Sequence, residues 1–497
     1  MALDLFNSLS GRTEEFAPSD GNTVRFYACG PTVYDYGHIG NFRTFVAVDV
    51  LRRYLRQSGF QLLHVMNITD VDDKIIRNAN QRGVSIGEYT KKYEQAFLED
   101  METLGIEQPE RISRATEHIP EMARFIRRLA DKGVAYQAED GSWYFRIDKF
   151  PEYGKLSKKD FAGMITDGGG RMDADEYEKD DARDFALWKA PKEGEASWET
   201  EIGRGRPGWH IECSTMAMEY LGETFDLHTG GEDLMFPHHE NEIAQSESLT
   251  GKIFARHWMH VRFLLVEGQK MSKSLGNFYT LRDLVLMGHK PSSIRLLLSS
   301  VPYRKQLNFT FDGLTQAANS VERLRNFKRR LETSTWEPGA NPAIAEMAKK
   351  SVCEMHASLD DDLNTAQALA AIFDLVRDVN AAADHGKVKK DDIAALLEAL
   401  GKFDEIFAVL VDEDAAHVKA IVDWARAEAL EDKISPEALE MAKSAALSDE
   451  QVEVLVAKHS AARKTRDFKT SDAVRDELLA QGIVLENTKD GVRWKRK

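Results

Sequence analysis

The segment between residues 24 and 68 constrains the fold of this chain more than any other. A short apolar run at residues 24–29 ends at Gly30-Pro31, and a second apolar run occupies residues 61–68. Between them, apolar side chains recur at helical spacing over residues 41–59, and Gly59 is a stop signal. A strand, a helix and a strand in this order predict a parallel sheet with crossover helices. Such sheets bind nucleotides at the carboxyl ends of their strands.

Length and composition indicate a multidomain globular protein. A chain of 497 residues exceeds one ordinary hydrophobic core, so we expect roughly two to four domains. Three cysteines argue against a secreted disulfide scaffold, and neither a secretory signal nor a long apolar stretch is recognisable. We therefore expect a cytoplasmic enzyme without a membrane span. The net charge of −16 disfavours nonspecific nucleic-acid binding by the whole surface but leaves room for a local basic patch.

The pattern of helices and strands changes along the chain. Glycines at 168–170 and an acidic run at 173–184 interrupt the alternation, which predicts an insertion with small strands such as residues 142–145. The sheet resumes near Trp209 with a strand at 224–228, and helical spacing begins at Leu314. A later helix is expected from residue 364, with Asn364 or Thr365 as its N-cap. Short strands are expected between residues 483 and 494.

These patterns predict an α/β protein. A Rossmann-like parallel-sheet catalytic domain with an insertion is followed by a helical bundle and a small mixed C-terminal domain. The predicted boundaries are 1–120 and 201–262 for the split catalytic domain, 121–200 for the connective insertion, 263–313 for a lysine-loop region, 314–425 for the bundle and 426–497 for the C-terminal domain.

The pentapeptide Lys-Met-Ser-Lys-Ser at residues 270–274 indicates ATP chemistry. It follows Gly268 and an apolar run at 263–266, so it is expected on a mobile loop after a strand. The ammonium groups of Lys270 and Lys273 can clamp a triphosphate and stabilise developing charge, while Ser272 and the loop amides add donors. A solvated lysine loop is the plain alternative, but a specified pentapeptide rarely occurs by chance.

The segment His-Ile-Gly-Asn at residues 38–41 is a weaker signal by itself. It is expected near the N-terminus of the first helix, at the carboxyl end of the first strand. Gly40 would let a nucleotide approach the backbone, and His38 and Asn41 would donate hydrogen bonds to phosphate or ribose oxygens. A histidine in this place is often only a cap or a core residue, so the interpretation depends on the lysine loop downstream.

Two of the three cysteines indicate a metal site. Cys29 and Cys213, together with His238 and Glu242, supply the thiolate, imidazole and carboxylate groups that bind zinc. His238 and Glu242 are four residues apart, so on a helix they share one face. These residues predict a mononuclear site. A soft metal beside an ATP site suggests a substrate with a soft atom, and a thiol is the obvious choice.

Taken together, the segments at 38–41 and 270–274 resemble those of class I aminoacyl-tRNA synthetases. Four further segments narrow the resemblance to the cysteinyl-tRNA synthetases. They are CGPTVYD at 29–35, NITDVDDK at 67–74, GWHIECS at 208–214 and FPHHENE at 236–242. The similarity runs through the catalytic half and continues in the segment at 466–476.

The resemblance implies a function and a set of site residues. Cysteine would be joined to tRNA(Cys) through a cysteinyl-adenylate made from Mg-ATP, by a monomer with one zinc ion that binds the substrate thiolate. Serine differs from cysteine by one atom, and a pocket of matching shape rejects such isosteres poorly. The roles assigned by resemblance are zinc binding for Cys29, Cys213, His238 and Glu242, cysteine binding for Trp209, Thr69 and His228, catalysis for His38, Asn41, Lys270 and Lys273, and ATP binding for the same four with Gly40 and Ser272.

Other residues receive weaker assignments. His239 and Glu240 are expected to lie behind the zinc ligands or in the core. The region 263–313 would contact the tRNA stem, and the bundle and the C-terminal domain would contact the anticodon arm. Two basic clusters there suit RNA, although a charged helix face is usually only solvated. They are Arg323, Arg325, Lys328, Arg329 and Arg330, and Lys458, Arg463, Lys464, Arg466 and Lys469.

One position departs from the family pattern, and two other functions stay open. The first signature often ends in histidine, whereas Asn41 can donate a hydrogen bond but carries no charge. One alternative is a ligase that joins cysteine to an amino sugar in mycothiol synthesis, although this chain runs far beyond Ser274. The other is a zinc-stabilised RNA-binding module whose catalytic residues are relics, against which the intact lysine loop argues.

Overall fold

The computed structural model describes residues 3–159, 184–445, 447, 449–488 and 491–496. The glycines at 168–170 and nearly all of the acidic run at 173–184, on which the predicted insertion partly rested, lie outside the described residues. Within these ranges, no helix has both the length and the apolar character needed to cross a bilayer.

The strands and α-helices alternate in the first half, and helices dominate the second. The strands are β1 Asp4–Asn7, β2 Arg12–Glu15, β3 Thr23–Ala28, β4 Gln61–Ile68, β5 Arg111–Arg114, β6 Ala135–Gln137, β7 Trp143–Phe145, β8 Phe185–Lys189, β9 Arg206–Pro207, β10 Phe225–Gly231, β11 Ala255–Val261, β12 Leu265–Val266, β13 Gln269–Lys270, β14 Asn308–Phe309, β15 Ile483–Thr488 and β16 Gly491–Arg496. The helices are α1 Ile39–Gln57, α2 Asp73–Arg82, α3 Ile86–Thr103, α4 Ile119–Asp131, α5 Trp209–Leu221, α6 Glu240–Thr250, α7 Leu281–Leu286, α8 Pro291–Ser299, α9 Phe311–Thr333, α10 Pro342–Asp360, α11 Thr365–Asp384, α12 Ile393–Phe407, α13 Asp414–Ala427, α14 Pro436–Ser444, α15 Asp449–Lys464 and α16 Phe468–Ala480.

The predicted parallel sheet is confirmed. Five strands pair in the order β11-β10-β3-β4-β5, and every pair is parallel. Strands β3, β4 and β5 come from the first part of the chain, and β10 and β11 from the second. The strand order therefore reverses between β3 and β10. In open sheets of this kind, ligands bind at such a switch point, beyond the carboxyl ends of the strands.

Local sequence signals explain the first strand–helix–strand unit. The predicted apolar stripe of α1, which includes Phe45, Val48 and Leu51, is buried. Gly59 adopts φ 94°, which favours glycine, and turns the chain from α1 into β4. The helix begins at Ile39, two residues before the prediction, because the residue before it caps the first turn.

The insertion forms a sheet of its own. Strands β6, β7, β8 and β9 pair antiparallel in that order, and β7 coincides with the predicted strand near 142–145. Asp73 at the start of α2 forms ion pairs with Arg206 and with Lys189, the latter at 3.1 Å. On the other side, Glu240 accepts backbone N–H bonds from Gly154 and Ser157 at 2.9 and 2.8 Å. Ionic contacts and hydrogen bonds thus hold the insertion against both halves of the catalytic domain.

The helical bundle shares one hydrophobic core with one face of the sheet. This core runs from α1 through α8 into the helices α9–α13. A buried ion pair crosses it, because Arg295 on α8 lies 2.5 Å from Asp49 on α1. Arg295 also donates to the carbonyl oxygens of Phe407 at the end of α12 and of Leu104, at 2.5 and 2.9 Å. One guanidinium on α8 therefore joins α1 and the end of α3 to the bundle helix α12.

The C-terminal part is a small mixed α/β unit, as predicted. Helices α15 and α16 pack on the antiparallel hairpin β15–β16. They bury a separate core of five residues, which are Val452, Val456, Val474, Leu478 and Ile483. The helix predicted from residue 364 is α11, and Asn364 is its N-cap, because its side chain accepts the N–H of Gln367.

We expect Arg295→Ala to lower the free energy of unfolding by about 3–5 kcal/mol, because the buried Asp49 keeps only Arg53 as an ion-pair partner and the carbonyl oxygens of Phe407 and Leu104 lose their donor. Denaturant unfolding followed by circular dichroism measures the change. Arg377→Ala is the control, because Arg377 pairs with Asp374 on the surface, where both side chains are about 60% exposed. A similar loss in both variants would contradict a special role for the buried pair.

Candidate active site

Thiol, imidazole and carboxylate groups meet beyond the carboxyl ends of the central strands. Cys29 directly follows β3, and its N–H donates to the carbonyl oxygen of Thr229 on β10 at 3.1 Å. Cys213 lies in the first half of α5. His238 and Glu242 come from the irregular turn after β10 and from the start of α6. Both halves of the sheet therefore contribute to one buried cluster.

The four predicted metal ligands lie close together. The sulfur atoms of Cys29 and Cys213 are 4.0 Å apart, and Cys29 Sγ is 3.8 Å from Glu242 Oε1. His238 Nε2 lies 3.1 Å from the same carboxylate oxygen, as the spacing of four residues predicted. All four ligand atoms lie within 4.8 Å of one another, and all four residues are buried. This arrangement is compatible with one metal ion.

A second set of possible ligands overlaps the first. Cys29 and Glu242 also lie within 4.8 Å of His228 and His239. His228 Nε2 is 2.9 Å from Glu242 Oε2, and His239 Nε2 is 3.3 Å from Cys29 Sγ. The sequence therefore identified a suitable cluster, but the geometry offers two ways in which it could hold an ion.

Burial favours the neutral form of every group in this cluster. It raises the pKa of Glu242 and Cys29 well above their usual values and also raises the pKa of Cys213. It lowers the pKa of His238 well below the usual value and that of His228 to about 3. A cation can displace the protons from the acids and offset the cost of their charges. Neutral imidazoles with two nearby thiols and a carboxylate are suitable ligands for it.

Further imidazoles lie behind this cluster. His210 Nδ1 is 3.0 Å from His238 Nδ1. His260 on β11 bridges His239, at 2.8 Å, and the hydroxyl of Ser8, also at 2.8 Å. The sequence predicted His239 and Glu240 as residues of this kind but missed His210, His260 and Ser8. His210 lies within the segment at 208–214 that carries the family resemblance, whereas nothing local marks His260 and Ser8, because β11 and the turn after β1 reach the cluster only in the folded sheet.

The three residues predicted to contact the amino acid differ in exposure. Trp209 is 37% exposed, and its ring stacks on that of His238 with centroids 4.1 Å apart. Thr69 and His228 are buried, and Thr69 donates a 2.9 Å hydrogen bond to Glu212, which the sequence did not single out. Burial raises the pKa of Glu212 well above its usual value. Trp209 is thus the member of this group that faces solvent.

The segment at 38–41 is locked by reciprocal hydrogen bonds. His38 Nδ1 accepts the N–H of Asn41, and Asn41 Oδ1 accepts the N–H of His38, both at 3.1 Å. Since Nδ1 is the acceptor, the neutral ring carries its proton on Nε2. Burial lowers the pKa of His38 to about 4, and the charge of Lys273 adds to this effect. His38 is therefore an uncharged hydrogen-bond donor at neutral pH.

The lysine loop lies against this segment. A Cβ on Gly40 would stand 2.9 Å from His38 Nδ1 and 3.2 Å from Met271 Cε, so only glycine fits there without rearrangement. The N–H of Ile39 donates to the carbonyl oxygen of Tyr279 at 3.0 Å. Lys273 Nζ forms a 2.8 Å ion pair with Asp35. The structure thus brings together the two segments that the sequence linked to ATP.

Asn277 shapes the lysine loop itself. Its side chain accepts the N–H of Ser272 at 2.8 Å and donates to the carbonyl oxygen of Lys270 at 3.2 Å. Ser272 Oγ caps a short 3₁₀ turn, Lys273–Leu275. Lys270 lies exposed on β13. The sequence predicted the lysines but missed Asn277 and Asp35.

Part of the first predicted basic cluster serves the bundle. Arg325 bonds the carbonyl oxygen of Val409 at 3.0 Å and forms ion pairs with Asp412 and Asp414 at 3.0 and 2.6 Å. Arg330 pairs with Asp384 at 2.6 Å. Because of these partners, Arg325 in particular acts as an internal connection between helices.

Comparison with known proteins agrees with this geometry. Residues 15–319 match the family model of the class I (C) tRNA synthetase catalytic domain, and residues 354–411 match the DALR domain. The cysteine–tRNA ligases of Koribacter versatilis (strain Ellin345) and Solibacter usitatus (strain Ellin6076) are 71% and 58% identical to this chain, each over 497 residues. Both alignments cover 100% of both proteins. The chain belongs to the cysteine–tRNA ligase family.

The fold of this cysteine–tRNA ligase family member is also found in solved structures. The Mycobacterium tuberculosis methionyl-tRNA synthetase in complex with methionyl-adenylate matches with a TM-score of 0.56 at 16% identity. The alignment covers 86% of this chain and 95% of that protein. At this identity the match supports the class I fold, which the sequence predicted.

The lowered pKa of His38 predicts how the free energy of unfolding depends on pH. In the unfolded chain its pKa returns to about 6.5, so between pH 6.5 and pH 4 only the unfolded chain binds this proton. The contribution of neutral His38 to stability is therefore complete above pH 6.5 and is lost as the pH falls. We expect a fall from pH 7 to pH 5 to lower the free energy of unfolding more in the wild type than in His38→Asn, which retains a capping side chain. Denaturant unfolding at both pH values tests this, and equal losses would contradict it.

Proposed function

We propose that this protein charges tRNA(Cys) with L-cysteine at the expense of ATP, through a cysteinyl-adenylate. One observation carries the proposal: the segment that follows β3 contributes Cys29 to a buried cluster with two thiols and, through Asp35 and Gly40, also contacts the lysine loop. The cluster has the chemistry to bind a thiol-selecting metal ion, and the loop has the charges to bind a triphosphate. Relatives that match the whole chain are named cysteine–tRNA ligases.

The proposed ligands of a zinc ion are Cys29, Cys213, His238 and Glu242. With this set, the imidazoles outside it act as partners of the ligands. His228 would orient Glu242, His239 would donate to Cys29 and His210 would fix the ring of His238. In the alternative set of Cys29, His228, His239 and Glu242, Cys213 and His238 would in turn be the partners of Cys29 and Glu242. We prefer the first set because it supplies two thiolates, the softest ligands of the cluster. Bound zinc would supply a Lewis acid that prefers the thiolate of cysteine to the hydroxyl of serine.

The amino acid would bind between this cluster and the nucleotide. Trp209 covers His238 at the exposed edge of the cluster, so its indole would form one wall of the pocket. Thr69 and His228 would not contact the amino acid directly. They would act through their hydrogen bonds to Glu212 and Glu242. Their proposed contribution is to hold the wall and the ligands in place, because both side chains are buried.

The nucleotide would bind across the two segments that the loop brings together. The His38 Nε2–H group and the Asn41 amide would donate to phosphate or ribose oxygens, and Gly40 would let the backbone approach. Lys273 would stabilise the α-phosphate as the cysteine carboxylate attacks it, while Lys270 and Ser272 would bind the departing pyrophosphate. Mg²⁺ would enter with ATP. The protein need supply only positioning and charge stabilisation.

The rest of the chain would bind tRNA. The terminal adenosine would attack the adenylate through its 2′-hydroxyl, as the class I family implies. Residues 263–313 would contact the stem, and 314–425 and 426–497 the anticodon arm, with the catalytic domain split between 1–120 and 201–262 around the connective insertion 121–200. We expect a monomer that works in the cytoplasm.

The amino-sugar ligase of mycothiol synthesis is not favoured, because relatives named as tRNA ligases match this chain over its full length.

The other alternative is an RNA-binding module whose catalytic residues are relics. Such a protein would show no cysteine-dependent exchange of pyrophosphate into ATP.

The first test is charging of total tRNA with labelled cysteine by zinc-loaded protein. We expect cysteine to be esterified to tRNA and serine, the matched control, to remain free. Charging of both amino acids would refute thiol selection at the cluster. Absence of charging by a preparation that exchanges pyrophosphate with cysteine would favour the amino-sugar acceptor.

The ligand assignment is tested with Co²⁺ in place of zinc. Two thiolates give a strong sulfur-to-metal charge-transfer absorption, and we expect Cys213→Ser to weaken it and His238→Ala to lower metal affinity by well over about 100-fold, more than the loss of an outer partner costs. His239→Ala is the matched comparison: it removes a partner of Cys29, so the loss of affinity should stay within about 10- to 100-fold and the bound metal should keep both thiolates. Loss of metal from the His239 variant, with normal binding in the Cys213 variant, would favour the second set.

The role of Lys273 is tested by Lys273→Ala. We expect adenylate formation in single-turnover experiments to slow by about 100-fold or more while cysteine binding stays within about twofold, because the ammonium acts on the phosphate. Lys252→Ala is the control, since Lys252 is exposed and pairs with Glu223. Normal adenylate formation with weakened cysteine binding would defeat this role.

A further inference from the structure

Asp35 contacts the lysine that the proposed reaction needs. Its Oδ2 atom lies 2.8 Å from Lys273 Nζ, and its Oδ1 atom accepts the N–H of Tyr36 at 2.9 Å. The two carboxylate oxygens therefore have different tasks. Oδ1 holds the carboxylate in place through the N–H of Tyr36, and Oδ2 forms the ion pair with Lys273. Asp35 stands three residues before His38, in the connection between β3 and α1.

The same contacts hold the lysine loop in a closed position. Lys273 Nζ lies 5.0 Å from the ring centre of Phe278, and that ring meets the His38 ring edge-on at 5.1 Å. Phe278 is thus a spacer between the ammonium and the imidazole. Met271 reaches Gly40 on the other side of the loop. With Asp35 as its anion, Lys273 is held above the segment where the triphosphate would bind.

The ion pair is exposed enough to be exchanged. The side chains of Lys273 and Asp35 retain 66% and 40% of their solvent exposure. Ion pairs of this kind are weak, because water screens them and both side chains lose freedom. A triphosphate carries several negative charges and can take the ammonium from a single carboxylate.

We propose that Asp35 is a positioning residue that holds Lys273 in the closed loop while no nucleotide is bound and competes with a nucleoside triphosphate for its ammonium group. This inference rests on the proposed role of Lys273 in ATP binding. The hydrogen bond to Asp35 raises the pKa of Lys273, in keeping with a direct contact between the two charges. Asp35 thus keeps Lys273 close to the site where the triphosphate would bind. The affinity for ATP is slightly lower as a result, because ATP must replace the carboxylate as the partner of the ammonium.

The test is the affinity of Asp35→Asn for Mg-ATP, measured by calorimetry without cysteine so that no reaction occurs. We expect binding about two- to fivefold tighter than in the wild type, because the competing charge is gone while Asn still offers the Oδ1 acceptor. The rate of adenylate formation at saturating ATP should stay within about twofold. Without ATP, trypsin should cleave after Lys270 and Lys273 faster in this variant, because the loop has lost its anchor.

Asp35→Glu should bind ATP like the wild type, since it keeps a carboxylate within reach of Lys273. Asp131→Asn is the matched control, because it removes a carboxylate from another exposed ion pair, with Arg127. In a Lys273→Ala background, Asp35→Asn should no longer tighten ATP binding, since there is no ammonium left to compete for.

Two results would overturn the proposal. Equal tightening with and without Lys273 would mean that Asp35 only repels the triphosphate at a distance. Weaker ATP binding by Asp35→Asn, with a higher requirement for Mg²⁺, would mean that Asp35 holds the metal ion of the nucleotide. Both measurements are independent of cysteine-dependent pyrophosphate exchange, which is run on the wild type alongside. Absence of that exchange with the expected ATP affinities would refute the proposed function and leave the role of Asp35 standing.

Discussion

The parallel pairing of β3 with β10 is the constraint on which the rest of this molecule depends. Phe26, Tyr27 and Ala28 lie in register with Leu227, His228 and Thr229, although a whole insertion separates the two strands in sequence. Because parallel strands end at the same edge, Cys29 arrives beside the residues that follow β10. The same edge begins the connection to α1, and so it also fixes His38. A shift in this register would move the thiol away from Glu242 and leave neither half of the site intact.

The buried cluster at this edge of the sheet combines several ionisable groups in one place. Two thiols, a carboxylate and several imidazoles are taken out of water together, and burial favours the uncharged form of each. Uncharged groups need few counterions, so the cluster can be folded before any metal ion binds. A metal ion that then displaces the protons is bound by charged thiolates and a carboxylate. Because these groups are buried, their attraction to the ion is strong. A substrate thiol would bind more tightly in the same environment, since its proton would be displaced in the same way and its thiolate would be attracted to the ion.

Much of this could be predicted from the sequence, because the signals are local. The apolar runs around Phe26 and Val65, and the stop at Gly59, predict the strands and helix within two residues. Cys29, Cys213, His238 and Glu242 were brought together by residue type and by a spacing of four. What could not be predicted depends on contacts between distant segments. His260 and Ser8 meet the cluster only in the folded sheet, and Arg325 resembles a surface charge until its partners Asp412 and Asp414 are known.

The three hydrophobic cores formed by the described residues are unequal in size. The sheet shares one large core with the bundle and a second with α4, α5, α6 and the insertion, whereas the cluster in the described part of the C-terminal unit has five buried apolar residues. Among its contacts with the bundle is the hydrogen bond from Arg493 to Ser334 at 3.2 Å. Thermal motion can therefore open the C-terminal unit while the catalytic sheet stays closed, and the two parts form separate cooperative units. Amide hydrogens in α16 and β15 would exchange with solvent long before those in β3, and a chain cut before residue 449 would keep its catalytic half folded.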